Sequence, residues 1–137
     1  MAQLSPYLNY NGNCREAMNF YKDCLGGNVD IMKVSDVPEM AAQMPAHLND
    51  AVLHAAFVAD GISIMASDLN RSKPNEGNTF ALCLVCKDEV ELKDLFEKLS
   101  AGGTIVESPQ VMPWGDFFGA LKDKFGKEWV LDCQVKK

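Results

Sequence analysis

Two histidines, five cysteines and a handful of isolated acids are the residues of this 137-residue chain with the means to do chemistry. His54 stands inside an apolar run. An imidazole there is either a neutral ring satisfied by one partner or a polar group that binds a ligand or takes a proton. His47, in a stretch of small residues, is expected to face solvent. Cys83 and Cys86 spell C-x-x-C. Redox pairs and zinc knuckles use that spacing when a turn or helix start puts both sulfurs on one side. Here the string from Phe80 to Cys86 reads as a buried strand, on which residues three apart point to opposite faces. With no second Cys or Cys/His pair at ligand spacing, both read as small hydrophobes.

Asp132 is an acid flanked by apolar neighbours, which calls for a partner or a wet cavity. It shares a strand face with Glu128 and Val130 by alternation. Ser63, Met65 and Ser67 share a face in the same way. Trp114, Phe117 and Phe118 cluster beside Pro113 and Gly115, either as loop packing or as the wall of a ligand site. Asp68 and Asp123 lie near turns, where Asp commonly bonds its own backbone. The charged residues between Glu89 and Lys98 read as a solvated helix face.

Hydrophobic period and breakers supply the elements that position these residues. Residues 4–10 alternate around Pro6 and read as a strand at a sheet edge or strand start. Asn13 with Glu16 has capping-box spacing, and Ala17, Phe20, Tyr21, Cys24 and Leu25 follow at helical spacing. Gly26-Gly27 ends that helix. Strands are expected at 29–34, 51–59 and 62–67, with Asp60-Gly61 as a hairpin turn. Residues 35–50 read as a loop with one short helical turn, and 69–78 as a loop. A strand at 79–86 follows. Asp88 and Glu91 repeat the capping box, Leu92, Leu95, Phe96 and Leu99 repeat the stripe, and Gly102-Gly103 repeat the stop. Strands at 104–111, 117–122 and 128–135 complete the chain, with a turn at 124–126.

The order is strand, helix, three strands, twice over. Phe20 and Gly26-Gly27 correspond to Phe96 and Gly102-Gly103, Val29 to Ile105, and Asp60-Gly61 to Phe125-Gly126. The expected fold is α+β: one domain over 1–137, built of two βαβββ repeats at about 1–68 and 79–137. A helix covers one face of each four-stranded half. Two halves side by side form a curved mixed sheet with a central trough and the helices outside, a natural small-molecule site.

Composition excludes several classes. Thirteen Lys and Arg against nineteen Asp and Glu leave a net charge of −6. A nucleic-acid partner needs a basic surface and is not expected. Hydrophobic residues at 47% and charged residues at 23% are those of an ordinary globular chain. No apolar stretch is long enough to span a bilayer, so no membrane partner is expected. There is no basic start followed by an apolar run, and five is an odd number of cysteines. Free thiols and a cytoplasmic location are expected.

The run from Pro6 to Tyr21, then Leu53-His54-Ala55 and Met65-Ala66-Ser67-Asp68, resembles the vicinal oxygen chelate superfamily of glyoxalases and bleomycin-resistance proteins. Trp114-Gly115, Phe118-Gly119, Asp123 to Gly126 and Trp129 extend the resemblance over nearly the whole chain. Within that superfamily it is most similar to the PhnB-like group, often labelled 3-demethylubiquinone 3-methyltransferase-like. The resemblance implies a divalent metal on the trough floor, held by His, Glu or Gln on the first and last strands of each half and acting as a Lewis acid. Those positions fall here at Pro6, at or beside Met65, near Ala81 to Cys83, and near Val130. None carries a hard ligand.

The favoured reading is therefore a small-molecule binding protein with no metal and no other cofactor. His54, Ser63, Met65, Ser67, Trp114, Phe118 and Asp132 are its ligand-contacting candidates. A metal-dependent lyase, isomerase or dioxygenase-like enzyme is the alternative, with His54 and Asp132 or Glu128 on the metal. A methyltransferase, as the group's label says, is the third. It requires a nucleotide-cofactor site, and the Gly pairs end helices where such sites start them. The resemblance and the amount of apolar sheet surface also imply a homodimer.

Overall fold

The computed structural model describes residues 2–69 and 73–134. They divide into two compact units, residues 1–74 and 75–137, each with one four-stranded sheet. The first unit contains β1 (Tyr7–Asn9), α1 (Cys14–Leu25), β2 (Asn28–Lys33), a short α2 (Pro38–Gln43), β3 (Val52–Ala59) and β4 (Ile62–Ser67). Its sheet order is β1-β4-β3-β2, with β1 parallel to β4 and the other pairs antiparallel. The second unit contains β5 (Leu82–Val85), α3 (Glu89–Ser100), β6 (Thr104–Val111), β7 (Phe117–Lys122) and β8 (Glu128–Cys133). Its order is β5-β8-β7-β6, again with the single parallel pair at the first strand. The same βαβββ unit thus appears twice.

Each helix lies on one face of its own sheet and buries the stripe the sequence displays. In α1 the buried residues are Cys14, Ala17, Met18, Tyr21 and Cys24, and they meet a sheet face built from Leu8, Ala55, Phe57, Ile64 and Ala66. In α3 they are Leu92, Phe96 and Leu99, against Leu121, Trp129 and Leu131. Each large side chain buried this way contributes about 1.5–3 kcal/mol. The residue-type match of Phe20 with Phe96 does not hold in space. Tyr21 is the fully buried aromatic of α1, while Phe20 is half-buried and packs edge-on against it at 5.9 Å. The reason is one extra residue, Ala101, between the end of α3 and its glycine pair. It rotates the apolar stripe by one position relative to the stop signal.

Those glycine pairs do the same two jobs in both repeats. Gly26 and Gly102 leave the helix with φ of 77° and 76°. Gly27 and Gly103 have no room for a Cβ, which would strike the carbonyl of Val58 in one repeat and of Lys122 in the other. The chain can therefore run close beside the neighbouring hairpin only without a side chain.

Several local expectations change. Asn13 precedes α1 but its side chain makes no capping bond. Asp68 does that work from the far end of β4: its Oδ1 accepts from the amides of Gly12 and Cys14, both at 2.9 Å, and its Oδ2 from Val52 at 3.2 Å. Asp88 behaves as expected, accepting from the Glu91 amide at 2.8 Å, and the Glu91 carboxylate accepts from the Lys87 amide. β1 is only three residues long, because Pro6 has no amide to donate, although its carbonyl accepts from Met65. β5 is also shorter than expected and is not a buried strand, since Phe80, Cys83 and Val85 are exposed. The 35–50 segment holds α2 and two 3-10 turns where one helical turn was expected. Part of the 69–78 loop and the end of the expected 128–135 strand lie outside the described residues.

Candidate functional site

Because a helix covers only one face of each sheet, alternation sends every second strand residue to the opposite, helix-free face. In the first sheet that face carries Tyr7 on β1, Ser63 and Met65 on β4, His54 and Val58 on β3, and Met32 on β2. The register pairs Tyr7 with Met65, Met32 with His54, and Val58 with Ser63. Tyr7, Met32 and Val58 are about half exposed. His54 is half-buried, with its ring 6.1 Å from that of Tyr7, and so is not sealed in a core. His47 is exposed, as expected.

Ser67 ends the same alternation but is committed elsewhere. It is buried, its hydroxyl donates to the Leu53 carbonyl at 2.9 Å, and its oxygen accepts from the Leu69 amide at 2.9 Å. These bonds fix the exit from β4 and hence the placement of Asp68.

In the second sheet the helix-free face carries Cys83 and Val85 on β5, Val130 and Asp132 on β8, and Phe118 on β7. Asp132 stands directly opposite Phe118 on one side and Val85 on the other. Trp114, in the turn between β6 and β7, meets Phe118 edge-on at 6.1 Å and is 64% exposed. Phe117 points the other way, into the core, with the Lys93 ammonium 5.4 Å above its ring. The sequence cluster of three aromatics is therefore divided, two on the helix-free face and one beneath α3.

Asp132 is the electrostatic anomaly of this face. Its Oδ1 is screened from solvent and has no hydrogen-bond partner among the described residues. Burial pushes its carboxyl above the ordinary carboxylate range, and the neighbouring Asp116 adds charge repulsion and a side-chain hydrogen bond in the same direction. Its charge reaches Cys83, whose thiol is pushed up first by burial and then by Asp132. Asp123, by contrast, is buried with its bonds made. Its Oδ1 accepts from the amides of Phe125 and Lys127, and its Oδ2 from the Trp129 indole at 2.9 Å. Sequence reasoning saw its turn but not the bond that locks Trp129.

The C-x-x-C is split as alternation required: Cys83 is exposed and Cys86 is buried. The positions at which the resemblance places metal ligands carry no nitrogen or oxygen donors on their side chains. Pro6, Ala81, Leu82 and Val130 have no donor atom, and Met65 and Cys83 offer only sulfur. Among the described residues no group of three or more His, Cys, Asp or Glu side chains is placed to hold a metal ion. No helix among them is long and apolar enough to cross a membrane.

Comparison with known proteins agrees with this geometry. A family model described as 3-demethylubiquinone-9 3-methyltransferase matches residues 2–132. Protein YjdN of Escherichia coli K12 is 33% identical over 138 residues, covering 94% of this chain and 93% of its own length. The crystal structure of PA1353 from Pseudomonas aeruginosa superposes with a TM-score of 0.85 at 31% identity, over 99% of this chain and 100% of that one. A glyoxalase/bleomycin resistance protein/dioxygenase family enzyme from Burkholderia phytofirmans gives 0.68 at 14% identity, over 98% and 100%, a likeness of fold alone. The two βαβββ units, each a four-stranded mixed sheet under one helix, are thus those of the glyoxalase fold, and the chain belongs to the 3-demethylubiquinone-9 3-methyltransferase family.

Proposed function

We propose that this protein binds a small organic molecule on the helix-free faces of its sheets and does so without a metal ion. One observation carries the reading. Those faces combine half-exposed apolar and aromatic side chains with a few isolated polar groups, Asp132 and His54 foremost, which is the composition of a ligand-binding surface. Ser63, Met65, Trp114 and Phe118 are the further contacts proposed. Ser67 is proposed to act through its backbone bonds, by setting the end of β4.

The metal-free part is supported by the donor chemistry at Pro6, Met65, Ala81 to Cys83 and Val130, which suits no hard divalent ion. Metal analysis of the purified protein tests it: substoichiometric metal is expected, and tightly held stoichiometric Ni, Zn, Mn or Fe overturns it. The binding part is tested by a thermal-shift panel of small dicarbonyl, phosphonate and aromatic compounds. A saturable shift is expected, and no shift with any compound overturns it. Methyl transfer is not part of the proposal. Both glycine pairs follow helix ends, and binding of S-adenosylmethionine in calorimetry would count against our reading.

A cytoplasmic homodimer completes the proposal. The free thiols of Cys14, Cys83, Cys86 and Cys133 support a reducing compartment. Exposed apolar residues such as Ile105, Val106 and Val111 on the edge strand β6 support self-association. Sedimentation showing only monomer would remove the dimer.

A further inference from the structure

We propose that the helix-free face of the second sheet recognises an organic cation: an arylalkylamine or aryl amidine, with its ring on Trp114 and Phe118 and its charged nitrogen at the Asp132 carboxyl beside Asp116. This rests on the binding reading above and names the chemical class of the ligand.

The geometry points to a cation on three counts. Phe118 and Asp132 are direct cross-strand neighbours on β7 and β8. Side chains so paired stand about 4.5–5.5 Å apart at Cβ, so one ligand can touch both. Trp114 extends the aromatic surface edge-on to Phe118 and leaves most of its indole in water. The turn that presents it is closed by two backbone bonds, from the Met112 amide to the Asp116 carbonyl and from the Gly115 amide to the Met112 carbonyl. The platform is therefore held in place before any ligand arrives. Third, the Oδ1 of Asp132 has no hydrogen-bond partner among the described residues, and the carboxyl's neighbour Asp116 is a second acid.

An oxygen in that state needs a proton or a cation. The group whose charge acts on Asp132 is Asp116, and the groups on which its own charge bears in turn are the thiols of Cys83, Cys86 and Cys133. None of them is basic. A ligand bearing a carboxylate or phosphate would add repulsion to two acids. A neutral hydroxyl ligand would use the rings and give the carboxyl one ordinary hydrogen bond, without the charge that strengthens it. An ammonium or amidinium satisfies both, donating to the carboxyl while the ring faces attract it. The chain's net charge of −6 favours the approach of such a ligand and opposes that of an anion.

Three probes of one ring and one chain length separate charge from shape: phenethylamine, 2-phenylethanol and phenylacetate. Calorimetry or ligand-observed NMR on the full chain reads their affinities. Phenethylamine is expected to bind about tenfold tighter than 2-phenylethanol, and phenylacetate weakest. Asp132→Asn should erase the preference for the amine while leaving 2-phenylethanol within about twofold. Trp114→Ala should weaken both. Asp116→Asn provides the same reading should Asp132→Asn fail to fold by far-UV circular dichroism. Equal affinity for amine and alcohol, or tightest binding of phenylacetate, overturns the cation inference and leaves the binding reading standing. If no probe binds but another panel compound does, this inference alone falls. If nothing binds at all, both fall.

Discussion

Removing the Asp68 carboxylate should destabilise the first unit far more than removing the residue that sequence nominates as the cap of α1. Asp68 holds three amides from two separate segments, the start of α1 and the start of β3. Two belong to residues with almost no exposure, Cys14 and Val52, and have no route to water. Leaving a buried amide unsatisfied costs about 1–3 kcal/mol, so these two together set a range of about 2–6 kcal/mol. Gly12 is exposed, and its amide turns to solvent at little cost. Asp68 is itself part-exposed, which places the expectation for Asp68→Ala in the lower half of the range, at about 3 kcal/mol. For a chain of this size that lowers Tm by roughly 10–15 °C. Asp68→Asn keeps one acceptor oxygen but turns an amide group toward the second set of donors, and should cost about half as much. Asn13→Ala should cost less than about 0.5 kcal/mol, because that side chain makes no capping bond. Urea unfolding followed by far-UV circular dichroism gives the three values. Hydrogen exchange should show the loss of protection concentrated in residues 12–18. Asp68→Ala within about 0.5 kcal/mol of the parent, or Asn13→Ala equally damaging, would refute the reasoning.

Other substitutions test the rest of the structure. Gly103→Ala should lower Tm sharply and Gly27→Ala likewise, since each Cβ meets a backbone carbonyl of the adjacent hairpin; a change of under 2 °C in either would show that the hairpin yields. Among the five thiols, only Cys83 should react promptly with a disulfide reagent at pH 8 in the native protein. Cys14 is fully buried with its thiol pushed up to about 12, and Cys86 is buried with its thiol pushed up to about 11, so Cys83→Ser should abolish the fast phase. Asp132→Asn should gain stability over the parent as pH rises. A carboxyl held above its ordinary value binds a proton more readily in the folded state, so its ionisation costs the parent stability from about pH 4 upward through its folded pKa. Urea midpoints at pH 4, 6 and 8 read this, and a difference that does not move in the variant's favour between pH 4 and pH 8 contradicts it.

The elements of the molecule differ in how legible they are in sequence. Periodicity and breakers mark α1, α3 and the strands from 62 to 67 and from 104 to 133 closely, because those signals depend on residues only two to four apart. The strand ends at 4–10 and 79–86 read too long, since an edge strand stops where its partner stops, and no local pattern records that. The site residues divide in the same way. Alternation correctly grouped Ser63 with Met65 and Asp132 with Val130, and it separated Cys83 from Cys86. It could not tell that Ser67, in the same alternation, spends its hydroxyl on β3 and Leu69.

What the sequence by itself determined is the repeat. Two apolar stripes, two glycine stops and two hairpin turns in one order specify two helices, each with a stripe to bury and a set of strands beside it to bury it on. What only the tertiary structure decided is which polar groups are satisfied. Asp68 looks like a turn residue but reaches amides 54 and 56 residues away, while Asp132 looks equally ordinary and is left with a screened oxygen. Burial and partnership are properties of segments brought together in space, and a chain position carries neither until its neighbours have arrived.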